Sequence, residues 1–269
     1  MPIPHGHLAE IHIYPVKGAR GIALQRSDVL AGGLRNDRRF MLVDAQGKFL
    51  TQREHPRLAL VTTAIEGDVL VLGAEASAVR VPLRPERGAH RHVKIFHDAV
   101  DAIEVGAEAS SLVSSFLDAH CTLVFMQDHV VRPVDPRYAL PSDRVGFADG
   151  FPVLLASRAS LAELNGRLER PVPMNRFRPN LVVEGGAAFD EDRHARAVVG
   201  ALTFRMPKRC ARCTVTTVDQ ATAEVGVEPL RTLAGYRREG NNVYFAQNLV
   251  PDGEGEIAVG DVVSYLDEA

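Results

Sequence analysis

Two cysteines three residues apart, Cys210 and Cys213, stand in the segment Lys208-Arg209-Cys210-Ala211-Arg212-Cys213-Thr214. A thiolate is a soft, strong metal ligand, and Arg209 and Arg212 favour that ionised form by charge proximity. A structural zinc site asks for about four protein ligands. Neither a second cysteine pair nor a suitably spaced histidine pair accompanies these two. His5-Gly6-His7 and His90-Arg91-His92 are the close histidine pairs, and both read as solvated. No helical pattern opens directly after Cys213, which weakens a dithiol redox reading. Spacing alone leaves the pair open between metal ligand, redox centre and inert structural thiols.

The elements that must position these thiols read mainly as short strands. Leu8 to Val16, Arg39 to Val43, Leu58 to Ile65, Val69 to Leu72, Val79 to Leu83, Val93 to Phe96 and Ala102 to Val105 are β-like runs. Gly32-Gly33, Gln46-Gly47 and Gly67-Asp68 punctuate them as turns. Strands this short and this regular suit a barrel or sandwich better than a parallel α/β sheet. A helix is expected over Ala107 to Ala119, where Leu112, Val113, Phe116 and Leu117 share one face. Leu123 to Met126 returns to strand. Asp128 to Asp149 is a long polar stretch of the kind that is functional or mobile. Beyond it come a strand over Pro152 to Ala156 and a helix over Ala159 to Leu168 capped by Ser157. Strands are expected at Leu181 to Val183, Val198 to Phe204, Thr214 to Val218, Asn242 to Ala246 and Val262 to Leu266, with a helix over Pro229 to Arg237.

Composition bounds the function classes. A length of 269 residues suits two lobes rather than one compact core. A net charge of -3 without a basic run argues against a general nucleic-acid binder, which needs a concentrated Lys/Arg face. No apolar stretch approaches the roughly 18 residues that span a bilayer, so no membrane partner is expected. The N-terminus has no secretory pattern. Three cysteines are too few for a disulfide scaffold, so a reducing, cytoplasmic setting is expected. Cys121 reads as a small buried hydrophobe.

Several segments together resemble one family. Cys210-Ala211-Arg212-Cys213 followed by Thr216-Thr217-Val218-Asp219 is similar to the signature of the MOSC family, named for molybdenum cofactor sulfurase C-terminal domains. Tyr14-Pro15-Val16-Lys17, Asp37-Arg38-Arg39-Phe40 with Leu42-Val43-Asp44, and Thr51-Gln52-Arg53 with Pro56-Arg57-Leu58 resemble its N-terminal barrel domain. Asn175-Arg176-Phe177-Arg178-Pro179-Asn180 and Gly260-Asp261-Val262-Val263 resemble later elements, in the family's order. The resemblance implies a mainly β fold with α/β elements. It divides the chain into an N-terminal β-barrel-like domain over residues 1–118 and a MOSC β-barrel with peripheral helices over 119–269. It is strongest toward the amidoxime-reducing members and their bacterial counterparts.

That resemblance also implies chemistry. Cys213 would be the protein's thiolate ligand to the metal of a molybdenum cofactor, with Cys210 a neighbour that shapes the loop. Lys17, Arg39, Arg178, Asn180 and Arg212 would hold the pterin and its phosphate, arginine by a planar two-bond fork and lysine as a point charge. Asp149 would orient the cofactor or cap a turn. Thr217 and Asp219 would satisfy loop backbone groups. Gly18, Gly150 and Ala211 depart from the family's hydroxyl-bearing residues, leaving backbone N–H groups to donate there. The implied reaction is reduction of a small N-hydroxylated or N-oxide substrate, the metal carrying the redox chemistry. Three cysteines cannot supply an iron–sulfur cluster beside a molybdenum ligand. A separate electron-donor protein, a ferredoxin or reductase, is therefore expected. The alternative is a carrier of cofactor or persulfide sulfur without reductase activity.

Overall fold

A computed structural model describes residues 4–267. Seven strands close a barrel: β1 (Pro4–Ile13), β2 (Val153–Ser157), β3 (Leu181–Glu184), β4 (Arg196–Val199), β5 (Leu202–Ala211), β6 (Asn242–Pro251) and β7 (Val262–Leu266). The order runs β2-β3-β1-β7-β4-β5-β6, and β6 pairs back onto β2. Only β2 and β3 run parallel. Closure leaves no exposed strand edge within the ring, and alternate side chains fill it. Leu8, Ile11, Ile13, Leu155, Leu181, Val183, Phe204 and Val263 form this core. The mainly β reading stands.

The rest of the chain adds smaller sheets. Phe40–Val43, Thr122–Phe125, Asp98–Glu104 and His90–Ile95 form a four-stranded sheet, and Thr62–Glu66, Val69–Ala74 and Ser77–Pro82 form a meander. Helix α1 (Ala107–Leu117) covers them, burying Val113, Phe116 and Leu117 against Leu70, Leu72 and Leu123. Segments from both sides of residue 118 share sheets. β1 lies between β3 and β7, Arg26–Leu30 pairs with Gly255–Ala258, and Phe40–Val43 pairs with Thr122–Phe125.

Three expected strands take other forms. Val198 to Phe204 is not one strand but the hairpin of β4 and β5, turned at Gly200, whose φ of 58° belongs to glycine. Leu58 to Ile65 begins as a 3-10 turn over Pro56–Leu60, and only Thr62–Glu66 is strand. Thr214–Thr217 is a 3-10 turn as well. β-branched residues favour strand there. However, the Thr216 N–H and hydroxyl both bond the Cys213 carbonyl, at 3.2 and 3.0 Å, and close a turn instead. Helix α2 (Arg158–Asn165) starts within one residue of the expected Ala159 and ends before the expected Leu168, with the Ala159 and Ser160 N–H groups bonded to the Ser157 hydroxyl at 3.1 and 3.5 Å. Helix α3 (Leu230–Ala234) is shorter than the expected Pro229 to Arg237.

The long polar stretch is organised around one arginine. Arg132, 4% exposed, donates to the carbonyls of Gly146, Ala148 and Asp149 at 2.9, 2.6 and 3.0 Å, and pairs with Asp98 at 2.8 Å. A cation bonded to several carbonyls fixes a loop that has no ladder of its own.

One buried acid sets a stability dependence on pH. Glu191, 1% exposed, accepts from the Ser160 hydroxyl at 2.7 Å, while its second oxygen has no partner among the described residues. Burial pushes its carboxyl up to about 7 from 4.5. The folded value lies above the unfolded one, so the stabilisation is full below about pH 4.5 and is lost as pH rises through about 7. Glu191→Gln should flatten that dependence, gaining roughly 2 to 3 kcal/mol over wild type at pH 8 relative to pH 4.5. Urea denaturation at both pH values measures this; equal slopes with pH in the two proteins would refute it.

Candidate functional site

The chain leaving β1 sets the first wall of a cleft. The Tyr14 N–H donates to the Asp37 carboxylate at 2.7 Å, and the Arg38 and Phe40 N–H groups donate to Tyr14 and Pro15 carbonyls, each at 2.9 Å. The Lys17 N–H returns the pairing to the Phe40 carbonyl at 2.9 Å. These bonds hold Lys17 and Arg38 side by side. The second wall follows the 3-10 turn Met174–Arg176, where Arg178 adopts φ 54°. Arg38 sits at φ 46°. Left-handed backbone at two non-glycine residues facing one cleft marks a conformation that the surroundings enforce. The third wall is the end of β5 with Cys210, Ala211, Arg212 and Cys213.

A cavity of about 160 Å³ joins these walls. Lys17, Arg38, Arg178, Arg212, Cys210 and Cys213 all line it, together with Asp149. Cys213 is exposed and Cys210 half-buried. Cys213 follows the end of a strand and opens a 3-10 turn, rather than preceding a strand as expected. Cys121 lies buried elsewhere, against α1.

Cation stacking builds the floor. The Tyr14 ring lies between two guanidinium groups, Arg38 at 4.4 Å and Arg178 at 4.3 Å from its centroid. The Tyr14 hydroxyl donates to the Pro179 carbonyl at 3.0 Å, and burial pushes its pKa up to about 12. Arg178 donates to the Ala19 carbonyl at 2.7 Å and to Gln220 at 3.3 Å, and burial pulls it down to about 10. Gln220 and Gln52, both buried, exchange amide bonds beneath it. Arg212 donates to the Phe177 carbonyl at 2.8 Å and to the Cys210 sulfur at 2.9 Å. Its Nε has no hydrogen-bond partner among the described residues.

The charge balance of this cleft favours an anion. Lys17 pairs with Asp149, and Arg38 pairs with Asp37 at 2.6 Å. Among the described residues no carboxylate pairs with Arg178 or Arg212. A cation without a counter-charge, partly withdrawn from water, is a ready partner for a phosphate or thiolate group. The Asp149 side chain is 72% exposed, and Lys17 first, then Arg38 and Arg212, hold its carboxyl at about 2. Lys17 is itself lowered, burial outweighing Asp149. The depressed Asp149 value means that the pair is intact above about pH 4 and is lost as pH falls through about 2.

One expected cofactor contact falls elsewhere, and another, Asn180, lines the cleft with its amide already engaged. Arg39 does not line this cleft. Its guanidinium turns the other way, bonded to the Met126 carbonyl and paired with Asp128 at 2.8 Å, on a separate cavity of about 270 Å³. The turn at Arg38, φ 46°, aims its side chain at the cleft, while the Arg39 side chain lines the other cavity. The cleft takes Arg38. Asn180 is 1% exposed, and its amide is already engaged. It accepts from Arg38 at 2.9 Å and from the Leu154 N–H at 3.1 Å, and donates to the His12 carbonyl at 3.0 Å. It holds Arg38 in place. Asp149 serves as a side-chain partner for Lys17, not only as a turn residue. Asp219 accepts from Ala221 and Thr222 N–H groups at 2.8 and 3.1 Å and pairs with Arg176 at 2.8 Å, fastening the turn after Cys213 to the Arg178 segment. Gln52 stands in the Thr51-Gln52-Arg53 element, but nothing in the sequence joined it to Gln220. Their pairing spans 168 residues.

The fold and cleft define a β-barrel protein with a cation-walled pocket that presents an accessible thiol. The chain belongs to the MOSC-domain family: the MOSC N-terminal beta barrel domain matches residues 5–120 and the MOSC domain matches residues 142–264. It is 32% identical over 281 residues to mitochondrial amidoxime-reducing component 1 of Homo sapiens, spanning 97% of this chain and 83% of that protein. It is 33% identical over 249 residues to mitochondrial amidoxime reducing component 2 of Bos taurus, spanning 86% and 72%. Among solved structures, the YuaD protein of Bacillus subtilis matches over 97% of this chain and 96% of its own at TM-score 0.42 and 9% identity, too distant to bear on function.

Proposed function

We propose that this chain reduces N-hydroxylated small molecules, the class to which amidoximes belong, at a molybdenum–pterin cofactor whose protein ligand is the Cys213 thiolate. The names of its relatives support the substrate class. One observation carries the site: an exposed thiol borders a cleft where two guanidinium groups have no carboxylate partner among the described residues and the Arg212 Nε is unpartnered. That donor set fits an anionic cofactor with a soft metal, since thiolate suits the metal and arginine suits phosphate.

When bound, the cofactor supplies the two-electron redox chemistry that opens an N–O bond. Lys17, Arg38, Arg178 and Arg212 hold its anionic parts. Asp149 fixes the Lys17 ammonium, and Asn180 fixes Arg38. The same cations favour negative charge developing on the departing oxygen. Phe96, 48% exposed, and Phe151 give the cleft an apolar border for the organic part of a substrate. Electrons would come from a separate donor protein.

The test is elemental and kinetic. Chain produced in a host that makes the cofactor should carry about one molybdenum and turn over an aryl amidoxime with an artificial electron donor. A fully loaded chain that turns over no N-hydroxylated compound would favour the carrier reading and overturn the reductase. Arg178→Met should lower molybdenum occupancy at limiting cofactor by roughly tenfold or more, the worth of one hydrogen bond to a charged group. Unchanged occupancy would remove Arg178 from the cradle.

A further inference from the structure

The histidine at the chain's start does not sit in solvent. His5, on β1, packs edge-on against His194 at 5.4 Å between ring centroids, and His194 stacks on Tyr265 at 5.1 Å and 12°. Asp190 completes the group. One ligand atom from each of His5, Asp190 and His194 lies within 4.8 Å of the others. Among the described residues this is the one cluster of three such groups.

We propose that His5, Asp190 and His194 form a binding site for a divalent transition-metal ion, separate from the Cys213 cleft. Two imidazoles and one carboxylate are a donor set for zinc and its neighbours, with a fourth position left to water. Bonds of about 2.0–2.1 Å in a tetrahedron put ligand atoms roughly 3.3 Å apart, so the ligand atoms need close by up to about 1.5 Å. His194 carries the strongest sign. Its Nδ1 is 2.8 Å from the Asp267 carboxylate, the outer partner that fixes a ligating histidine. Its Nε2 then faces Asp190 at 3.7 Å, beyond hydrogen-bond reach, and is buried with no hydrogen-bond partner among the described residues. An orphaned ring nitrogen between a carboxylate and a second imidazole is explained by an ion between them. The competitor is a bond of 3.2 Å from the Tyr265 N–H to His5 Nδ1. Ligation through either nitrogen of His5 gives up that bond, so micromolar rather than tighter affinity is expected.

The site would fasten three distant parts of the chain. His5 lies on the first barrel strand, Asp190 and His194 lie between β3 and β4, and Tyr265 with Asp267 lies at the end of β7. An ion there closes the barrel where its first and last strands meet.

Cobalt(II) titrated into the chelator-stripped full chain tests this. One ion per chain should bind, with weak visible d–d bands and no thiolate-to-cobalt charge-transfer band. Zinc should displace it. Cys213→Ala should bind as wild type. His194→Phe, which keeps a ring against Tyr265, and His5→Phe should each weaken binding at least tenfold. Zinc at about a hundred times its dissociation constant should raise Tm by roughly 5 to 10 °C in wild type only. Unaltered cobalt binding by folded His194→Phe, a thiolate band in wild type, or no binding up to millimolar cobalt would each overturn the site.

Discussion

Cys213→Ala is expected to purify with at least about tenfold less molybdenum than wild type and to lose amidoxime turnover, whereas Cys210→Ala keeps both. The two thiols differ in surroundings. Cys213 is exposed on the cleft, and among the described residues no side chain holds its sulfur. Cys210 is half-buried, and its sulfur already accepts from Arg212 at 2.9 Å. Removing Cys210 leaves Arg212 anchored to the Phe177 carbonyl at 2.8 Å, so the cation stays in the wall. Removing the Cys213 side chain leaves its carbonyl still bonded to Thr216, so the turn persists and lost metal cannot be ascribed to misfolding. Thermal denaturation of both variants provides the control. Metal loss in Cys210→Ala with full occupancy in Cys213→Ala would assign the ligand to the other sulfur.

Asn180→Ala should be the most disruptive single change among the residues that brace the cleft from inside the fold. Its buried amide satisfies the Leu154 N–H, the His12 carbonyl and one Arg38 nitrogen at 3.1, 3.0 and 2.9 Å. Truncation leaves buried polar groups without partners, at about 1 to 3 kcal/mol each. A loss of roughly 3 to 5 kcal/mol in urea denaturation is expected after partial relaxation. Arg38 would also lose a fixed partner, so molybdenum occupancy should fall in the folded fraction. Asn180→Asp keeps the acceptor toward Arg38 and Leu154 but cannot donate to His12, so it should recover part of the stability. A loss under about 0.5 kcal/mol in Asn180→Ala would show that the amide is not the hub described.

How much of the site was legible turns on particular residues. The Cys210–Cys213 segment and the cations Lys17, Arg178 and Arg212 could be named because each stands in a short local pattern. Arg39 illustrates the limit. Asp37-Arg38-Arg39 offers two adjacent arginines, and composition cannot say which one faces the pocket; the Tyr14–Asp37 and Arg38–Tyr14 backbone bonds decide it. Asn180 shows a second limit, since its amide could serve a ligand or the fold. Its three internal partners come from residues 12, 38 and 154. His5 shows a third. Beside His7 it reads as solvated, yet its neighbour is His194, 189 positions along the chain.

The sequence by itself determined the β-rich character, the capped helix α2 and the pairing of soft sulfur with basic residues. Propensity, capping and charge are local, and the chain carries them without help. Only the tertiary structure decided which strands close the barrel, placing β1 beside β7, and which arginine, amide and histidine share a pocket. Those outcomes depend on contacts between residues well separated along the chain, where hydrophobic burial selects the register and no neighbouring residue records the choice.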